Sequence, residues 1–478
     1  MEAFRREDEA SLAYIFGKKN KSPELKHLHE SKIKWSGIFF QILKICRFVF
    51  LRGVIKDHRQ PAVNVIFYAG TDNQLKALIS TISSITTKDL LITTYIDREV
   101  SCRESKEIEG CVQLNFSPTL VIVAFLLLCI RAPIFYIKLR RSGGKNVLER
   151  HFNIFCRSFY YVPFFIKKIQ EGNPDLVVVA NDHNVDTRSM KLAAEILKVP
   201  TAYLQHASVS NIFPPLEFDY AFLDGKVAMK RYIECYKLWQ TDASANYASE
   251  KVNIFLSGQK KRLNLETTPK KEFAIGIGVN AADQFDALLT LLNSLARKDI
   301  PCIIRTHPNQ SQDFIEALEH FIKNNSNFQH SCSVKSDLST FFKECSILIA
   351  ANTGLHLEAA LAGIPTYYHE FSTCESVSDY YGFVESGISN HLPREFKDMG
   401  KNEILGLLAT NENRQAAIQE YSTSFGTIWQ NQEGDLVAET IRRIINGDEF
   451  SSIYERLDES ACFKQVFDLI SNTKKTPA

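Results

Sequence analysis

Eleven cysteines occur among the 478 residues, yet no two are spaced C-x-x-C. An odd number of scattered thiols points to neither a zinc site nor a disulfide framework, so a reducing, cytoplasmic setting is expected. Charge of one sign is also lacking. Lysine and arginine (56) nearly balance aspartate and glutamate (55), for a net charge of +1, so no global field favours nucleic acid. The first thirty residues mix Arg5, Arg6, Glu7, Asp8 and Glu9 and hold no apolar core before a small-residue cleavage site, so export is not expected. Nor is there an unbroken run of the roughly 20 apolar residues that a membrane span requires. No short internal repeat is evident.

What is present is an ordinary globular balance: 45% hydrophobic, 23% charged and 11% aromatic residues. That excludes wholesale disorder and collagen-like chains, and the length suits two domains. Two stretches have membrane-facing character. Residues 31–60 carry seven cations (Lys32, Lys34, Lys44, Arg47, Arg52, Lys56, Arg59) against one acid, Asp57, interleaved with aromatic and aliphatic residues. This composition suits either an anionic leaflet or a core-packing helix with a solvated basic rim. Leu120–Ile130 is wholly apolar, but Arg131 and Pro133 interrupt it before Lys138, Arg140 and Arg141. It reads as a buried or interfacial helix over 119–141 rather than a span.

From residue 61 short apolar runs alternate with helical stretches. Strands are predicted at Val63–Ala69, Leu90–Ile96, Val112–Phe116, Asp175–Ala180 and Thr201–Gln205, with helices at Asp72–Ser84, 147–171 and Met190–Leu197, and another short strand before Asp224-Gly225. A polar, basic stretch, Gln259–Lys271, reads as a linker, after which the alternation restarts. Strands follow at Phe273–Val279, Ile300–Arg305, Ile347–Ala350 and Pro365–Tyr368, and Asn324–His330 reads as a turn region. Helices are predicted at Phe285–Arg297, Ser311–Lys323, Leu338–Cys345, Leu355–Ala362, Arg414–Ile428 and Asp435–Ile445. Mostly apolar strands separated by helices mean parallel sheets covered on both faces. The fold class is therefore α/β, with two Rossmann-like doubly wound domains expected to face a cleft lined by their strands' carboxyl ends.

Three loop regions at strand ends carry dense polar content. Arg305-Thr306-His307-Pro308-Asn309 follows a strand, and Pro308 keeps His307 out of helical geometry, so the arginine and histidine could donate to a phosphate. Ala351-Asn352-Thr353-Gly354 turns into a helix, where backbone N–H groups favour anions, and Glu358 follows one turn later to accept ribose hydroxyls. In the amino half, Asn181-Asp182-His183-Asn184 and Gln205-His206-Ala207-Ser208 end neighbouring strands, as a general-base site for an acceptor would. Each region also has a structural reading as turn residues or capped helix ends.

These residues carry a resemblance. His307-Pro308 resembles the HP motif of sialyltransferases, polysialyltransferases and CDP-glycerol glycerophosphotransferases. Asn352-Thr353-Gly354 through Glu358-Ala359, with Gly363-Ile364-Pro365, resembles the donor-site loop and helix of GT-B glycosyltransferases. Gln205-His206-Ala207 resembles the Q-H-G turn of surface-carbohydrate transferases, with alanine in place of glycine. The likeness spans roughly residues 170–390.

It implies a bacterial surface-polysaccharide (capsule or lipopolysaccharide) glycosyltransferase, inverting, metal-independent and without a cofactor. Its substrates would be a nucleotide sugar, CMP- or CDP-linked among the options, and a glycan or lipid-linked acceptor. The setting would be cytoplasmic or at the inner membrane face. Arg305, His307, Pro308, Asn352, Thr353, Gly354 and Glu358 would hold the donor, and Asp182, His183 or His206 would be the base. No D-x-D follows a strand, in keeping with metal independence. The implied divisions are a basic segment 1–60, an acceptor domain 61–258, a donor domain 272–446 and a tail 447–478. A CDP-polyol phosphotransferase, a nucleotide-sugar 2-epimerase and an inactive GT-B scaffold are the alternatives.

Overall fold

The computed structural model describes residues 38–52, 61–86, 90–98, 100, 108, 110–141, 152–154, 156–209, 213–240, 252–260, 273–281, 283–308, 310–333, 336–371, 379, 381–406 and 414–448. The first 37 residues, most of the expected linker, Asn309 and the tail beyond 448 lie outside them.

The described chain forms two units, residues 38–260 with 422–448, and residues 273–421. The first contains α1 (Ile38–Arg52), β1 (Val65–Ala69), α2 (Asp72–Thr86), β2 (Ile92–Ile96), β3 (Cys111–Gln113), α3 (Pro118–Arg141), α4 (Ser158–Gly172), β4 (Leu176–Val179), α5 (Val185–Ile196), β5 (Thr201–Leu204), β6 (Tyr220–Leu223), α6 (Lys226–Gln240) and β7 (Asn253–Leu256). Its seven strands are all parallel, in the order β3-β2-β1-β4-β5-β6-β7, with Val65 aligned to both Ile92 and Leu176. Every residue of β1, β4 and β5 is buried, which is why these strands read as continuous apolar runs rather than as an alternation. On one face α4 contributes Tyr160, Tyr161, Phe164 and Phe165. Asn173 ends that helix in a left-handed conformation, its N–H donating to Ile169 O.

The second unit contains β8 (Ile275–Gly278), α7 (Phe285–Ala296), β9 (Cys302–Thr306), α8 (Gln312–Lys323), β10 (Phe328–Cys332), α9 (Leu338–Glu344), β11 (Ile347–Ala350), α10 (Leu355–Leu361), β12 (Thr366–Tyr368), β13 (Asn390–His391), α11 (Lys401–Gly406) and α12 (Gln415–Tyr421). Its parallel sheet runs β10-β9-β8-β11-β12-β13. Both units are therefore doubly wound α/β sheets. Strand order reverses between β1 and β4 in the first and between β8 and β11 in the second, the places where such sheets open at their carboxyl edge.

The helix expected over Arg414–Ile428 stops at Tyr421, the strand expected over Val112–Phe116 lies at Cys111–Gln113, and three larger expectations also differ. The turn read at Asn324–His330 gives way to strand β10, an edge strand of sequence FQHSC whose half-exposed polar face hides it from a hydrophobic pattern. The predicted helix Met190–Leu197 begins earlier, at Val185. Its first turns are polar but buried, with Arg188 paired to Glu217 at 2.7 Å. The stretch assigned up to residue 446 of a carboxyl-terminal domain leaves the second unit after Tyr421. Its last helix, α13 (Glu433–Ile445), packs on α2 in the first.

Polar bonds secure that return. Thr423 N donates to Asp224 O, Gln259 N to Ser422 Oγ, and Ser424 Oγ to the buried Glu433 carboxylate. Lys260, fully buried, meets Asp224 at 2.6 Å from the other side. Gly434 lets the helices approach, since a Cβ there would lie 2.6 Å from the backbone carbonyl carbon of Ser80. A backbone atom cannot rotate away, so Gly434→Ala should destabilise the first unit by about 2 kcal/mol, read by chemical unfolding. An unchanged midpoint would show that α13 does not need this approach.

Candidate functional site

In the first unit β4 and β5 end side by side and deliver the amino-half residues to one edge. Asn181 organises the turn after β4. Its Oδ1 accepts from His183 N at 2.9 Å, Asn184 N at 2.6 Å and Thr187 Oγ1 at 3.3 Å, which fixes the start of α5. Asp182 turns inward and is 1% exposed. Its Oδ1 lies 2.7 Å from His183 Nδ1, and its Oδ2 accepts from the Tyr232 hydroxyl at 2.7 Å. Burial alone would raise this carboxyl, but the His183 imidazole, the Tyr232 hydroxyl and the charge of His206 outweigh it and hold the group below its ordinary value.

His183 is the outward member of the pair. Its side chain is 22% exposed, and its ring packs 4.6 Å from that of Phe213. An ionised carboxylate bonded to one imidazole nitrogen fixes the tautomer and leaves the other nitrogen as the basic atom. His206 is half-buried beside them, close enough to act on Asp182. The three residues nominated as a base are thus gathered together, with Asp182 behind His183.

The alanine at 207 is compatible with its turn. Ala207 is exposed and is not among the described residues with positive φ, so the turn does not require glycine. Gln205 holds it instead, donating to Ala207 O at 3.0 Å while accepting from Asp224 N at 2.9 Å.

A second acidic group near this sheet edge was not foreseen. Asp97, one residue past β2, accepts from Tyr161 Oη at 2.6 Å, and Asp186 accepts from Tyr68 Oη at 2.8 Å. Burial, and then the charge of Asp97, raise the Asp186 carboxyl. Both carboxylates are spent on tyrosines inside the core.

In the second unit the strand-order reversal falls between β8 and β11, and β9 ends beside β8. His307, half-buried and just past β9, is pushed below its ordinary pKa by burial, so at neutral pH it is an uncharged donor rather than a cation. Pro308 beside it is exposed. Arg305 is turned into protein. Its guanidinium donates to Ser331 Oγ at 3.2 Å, Ser336 Oγ at 3.2 Å, Ser336 O at 3.1 Å and Asp337 O at 3.3 Å, and it stands over the Phe341 ring. It therefore braces the strand end that His307 follows.

Across the reversal, Asn352, Thr353, Gly354 and Glu358 are all half-buried. Thr353 N donates to Ala351 O at 2.9 Å, and Thr353 Oγ1 accepts from Leu355 N at 3.4 Å, so the hydroxyl shapes the turn. A Cβ at Gly354 would meet nothing within 4 Å, which leaves open space over this backbone. The helix that follows has only seven residues, so its dipole adds little and the turn's own polar groups dominate. Glu358 approaches Arg305 closely enough to raise the guanidinium pKa against the lowering by burial.

Three further residues at this edge were not foreseen. Asn280, directly after β8, donates through Nδ2 to Asn352 O at 2.5 Å and so spans the reversal. Asp283 accepts from Asn280 N at 2.7 Å, and burial lifts its carboxyl to about 7. Glu370, just past β12, accepts from Tyr368 Oη at 2.7 Å and adds to that lift. Their signal was positional: each follows a strand's carboxyl end without a motif. Among the described residues no group of three His, Cys, Asp or Glu side chains is placed to hold a metal ion.

No protein-family model and no curated protein matches the chain. Solved structures do. A Staphylococcus aureus MnaA structure with UDP aligns over 82% of this chain and 100% of its own, at 14% identity and a TM-score of 0.51. A putative UDP-N-acetylglucosamine 2-epimerase from Listeria monocytogenes aligns over 82% and 98%, at 12% identity and 0.50. A UDP-GlcNAc 2-epimerase from Neisseria meningitidis bound to UDP-GlcNAc aligns over 80% and 100%, at 12% and 0.51. At such identities what is shared is the fold.

Proposed function

We propose that this chain is a nucleotide-sugar-dependent glycosyltransferase that extends a glycan or lipid-linked acceptor in bacterial surface-polysaccharide synthesis. The observation that carries this reading is the constellation at the strand-order reversal of the second unit. There the neutral His307, the Asn280–Asn352 bridge, the uncrowded Gly354 turn and Glu358 come from the ends of three neighbouring strands and the helix after one of them. Neutral donors and turn amides suit the oxygens of a phosphate or pyrophosphate, and Glu358 suits ribose or sugar hydroxyls.

In the first unit the Asp182–His183 pair supplies the base. A base of this form takes the proton of an acceptor hydroxyl. In glycosyl transfer the acceptor oxygen bonds to the donor's anomeric carbon while the bond from that carbon to the phosphate oxygen breaks, and its electron pair leaves with the nucleotide. Asp182 stays ionised and stabilises the imidazolium that forms.

A second reading, a nucleotide-sugar 2-epimerase, is favoured by the likeness to UDP-GlcNAc 2-epimerases over 98% to 100% of their length. The two separate cleanly in an assay without acceptor. An epimerase interconverts the sugar nucleotide and takes up solvent deuterium, whereas a transferase does neither and releases nucleotide only when acceptor is added.

The donor base is read by thermal shift against CMP, CDP, UDP, GDP and their sugar conjugates. A ligand at about 100 Kd should add roughly 2.7 kcal/mol. One base alone should give that shift. Equal or absent shifts across all of them would remove the donor-site assignment.

A further inference from the structure

The helices α1 and α3 leave a large apolar surface that the proposed chemistry does not use. In α3 the residues Ile122, Phe125, Leu126, Ile130, Ile134 and Ile137 are between 50% and 68% exposed. They recur mainly at intervals of three and four residues, which places them along one side of a helix that is about 36 Å long at 1.5 Å per residue. The other side is committed to the core through Leu120 and Ala124, with Leu127, Leu128 and Tyr136 packed beside them. A helix fastened along its length in this way is not a span, and among the described residues no helix is long and apolar enough to cross a membrane.

Alongside it, α1 buries Ile45 and Phe48 and exposes Ile42, Leu43 and Phe50, the last at 82%. The two helices share neighbours. Phe48 of α1 packs 5.9 Å from the ring of Phe116 just before α3, and Asn153 N donates to Gln41 Oε1 of α1 at 3.1 Å while the adjacent Phe152 ring lies 5.3 Å from Tyr136 of α3. The exposed sides therefore belong to a single region of the first unit.

Charge identifies the occupant. Neither helix contains an acid, whereas by sequence α1 carries Lys44, Arg47 and Arg52 and α3 carries Arg131, Lys138, Arg140 and Arg141. A second copy docking through this face would set cations against cations. A surface of anionic headgroups over hydrocarbon meets both the apolar side chains and the charge. We infer that α1 and α3 together form a membrane-docking face that lies in the plane of an anionic lipid surface, with the apolar side chains of α3 dipping into its acyl boundary.

The test is co-sedimentation of the full chain with vesicles of equal parts phosphatidylcholine and phosphatidylglycerol, beside vesicles of phosphatidylcholine alone. The chain should pellet with the anionic vesicles and much less with the neutral ones. The variant Phe125→Ser/Leu126→Ser/Ile130→Ser should lower binding by about tenfold or more with an unchanged unfolding midpoint. The variant Lys44→Glu/Arg47→Glu should weaken binding to anionic vesicles only. Turnover of a soluble acceptor should survive in both variants, so this face and the donor-site reading can fail separately. Wild-type chain that pellets with neither vesicle, or variants that pellet like wild type, would overturn the inference. So would a wild-type dimer that the serine variant dissociates, since a second copy would then cover the face.

Discussion

Replacing His307 with alanine should lower nucleotide-sugar turnover by a factor of about 10² to 10³, the usual cost of deleting one preorganised donor to developing negative charge. Its place sets the expectation. It follows the end of β9, one strand from the strand-order reversal, on an edge braced by the bonds of Arg305 to Ser331, Ser336 and Asp337. Burial keeps the imidazole neutral, so it donates one hydrogen bond without needing a counter-ion when the site is empty. The loss should fall mainly on kcat if the bond strengthens as phosphate charge develops, and mainly on KM if it serves ground-state binding. His307→Asn should recover part of the activity, because an amide N–H can occupy similar space. The fold should be indifferent, since His307 is half-buried at a loop. A variant that kept wild-type rates with every candidate donor would remove His307 from the donor site. One that lost turnover together with its unfolding midpoint would assign the residue to structure.

How much of this was legible depended on where each strand sits in its sheet. Strands β1, β4, β5, β8 and β11 are flanked on both sides and buried throughout, so the sequence wrote them as apolar runs. The edge strands β10 and β13 have one neighbour each and half-exposed polar residues, and no pattern separates them from turns. The excursion of the chain after Tyr421 was invisible for another reason. An amphipathic helix such as α13 advertises that it has a partner but not which one, and a glycine at 434 reads as a weak helix position until Ser80 is seen against it. Among the candidate residues, His307 and Thr353 of the second unit and Asp182 of the first stood out in the sequence because a histidine before proline, a small-residue turn and a polar cluster at a strand end are locally distinctive. Asn280, Asp283 and Glu370 carry no such mark. They join the site only because β8, β11 and β12 are neighbours in space.

His356 should make the second unit acid-labile by about 3 kcal/mol between pH 6.5 and pH 4, and Asp283 should mask that loss. The His356 ring is wholly buried between Tyr368 and Phe383, with Nε2 2.9 Å from Ala351 O. Burial drives its pKa down to about 4, against smaller upward pulls from the carbonyls of Ala351 and Ala350. Its folded-state pKa is thus depressed. Stability is fully present above the unfolded value of 6.5 and is lost as pH falls toward 4, because the unfolded chain takes up the proton first. Asp283 runs the other way. Its folded-state pKa is raised from 3.8 to about 7, so its contribution is present at low pH and is lost as pH rises through 7. In the wild type the two slopes oppose each other across the same window. His356→Phe keeps the ring between its neighbours but cannot protonate. It should cost about 1 kcal/mol at pH 7, where the Ala351 carbonyl keeps Thr353 N but loses its bond from His356, and much less at pH 4.5. Asp283→Asn should steepen the acid loss. Urea unfolding read by hydrogen exchange in peptides within 347–368 measures both, and a His356→Phe penalty equal at the two pH values would show that the histidine is not the group that titrates. The same variant tests the site, because the carbonyl that His356 holds begins the turn of Asn352, Thr353 and Gly354. Nucleotide affinity should fall with the loss of that bond even at pH 7, where the ring's charge plays no part.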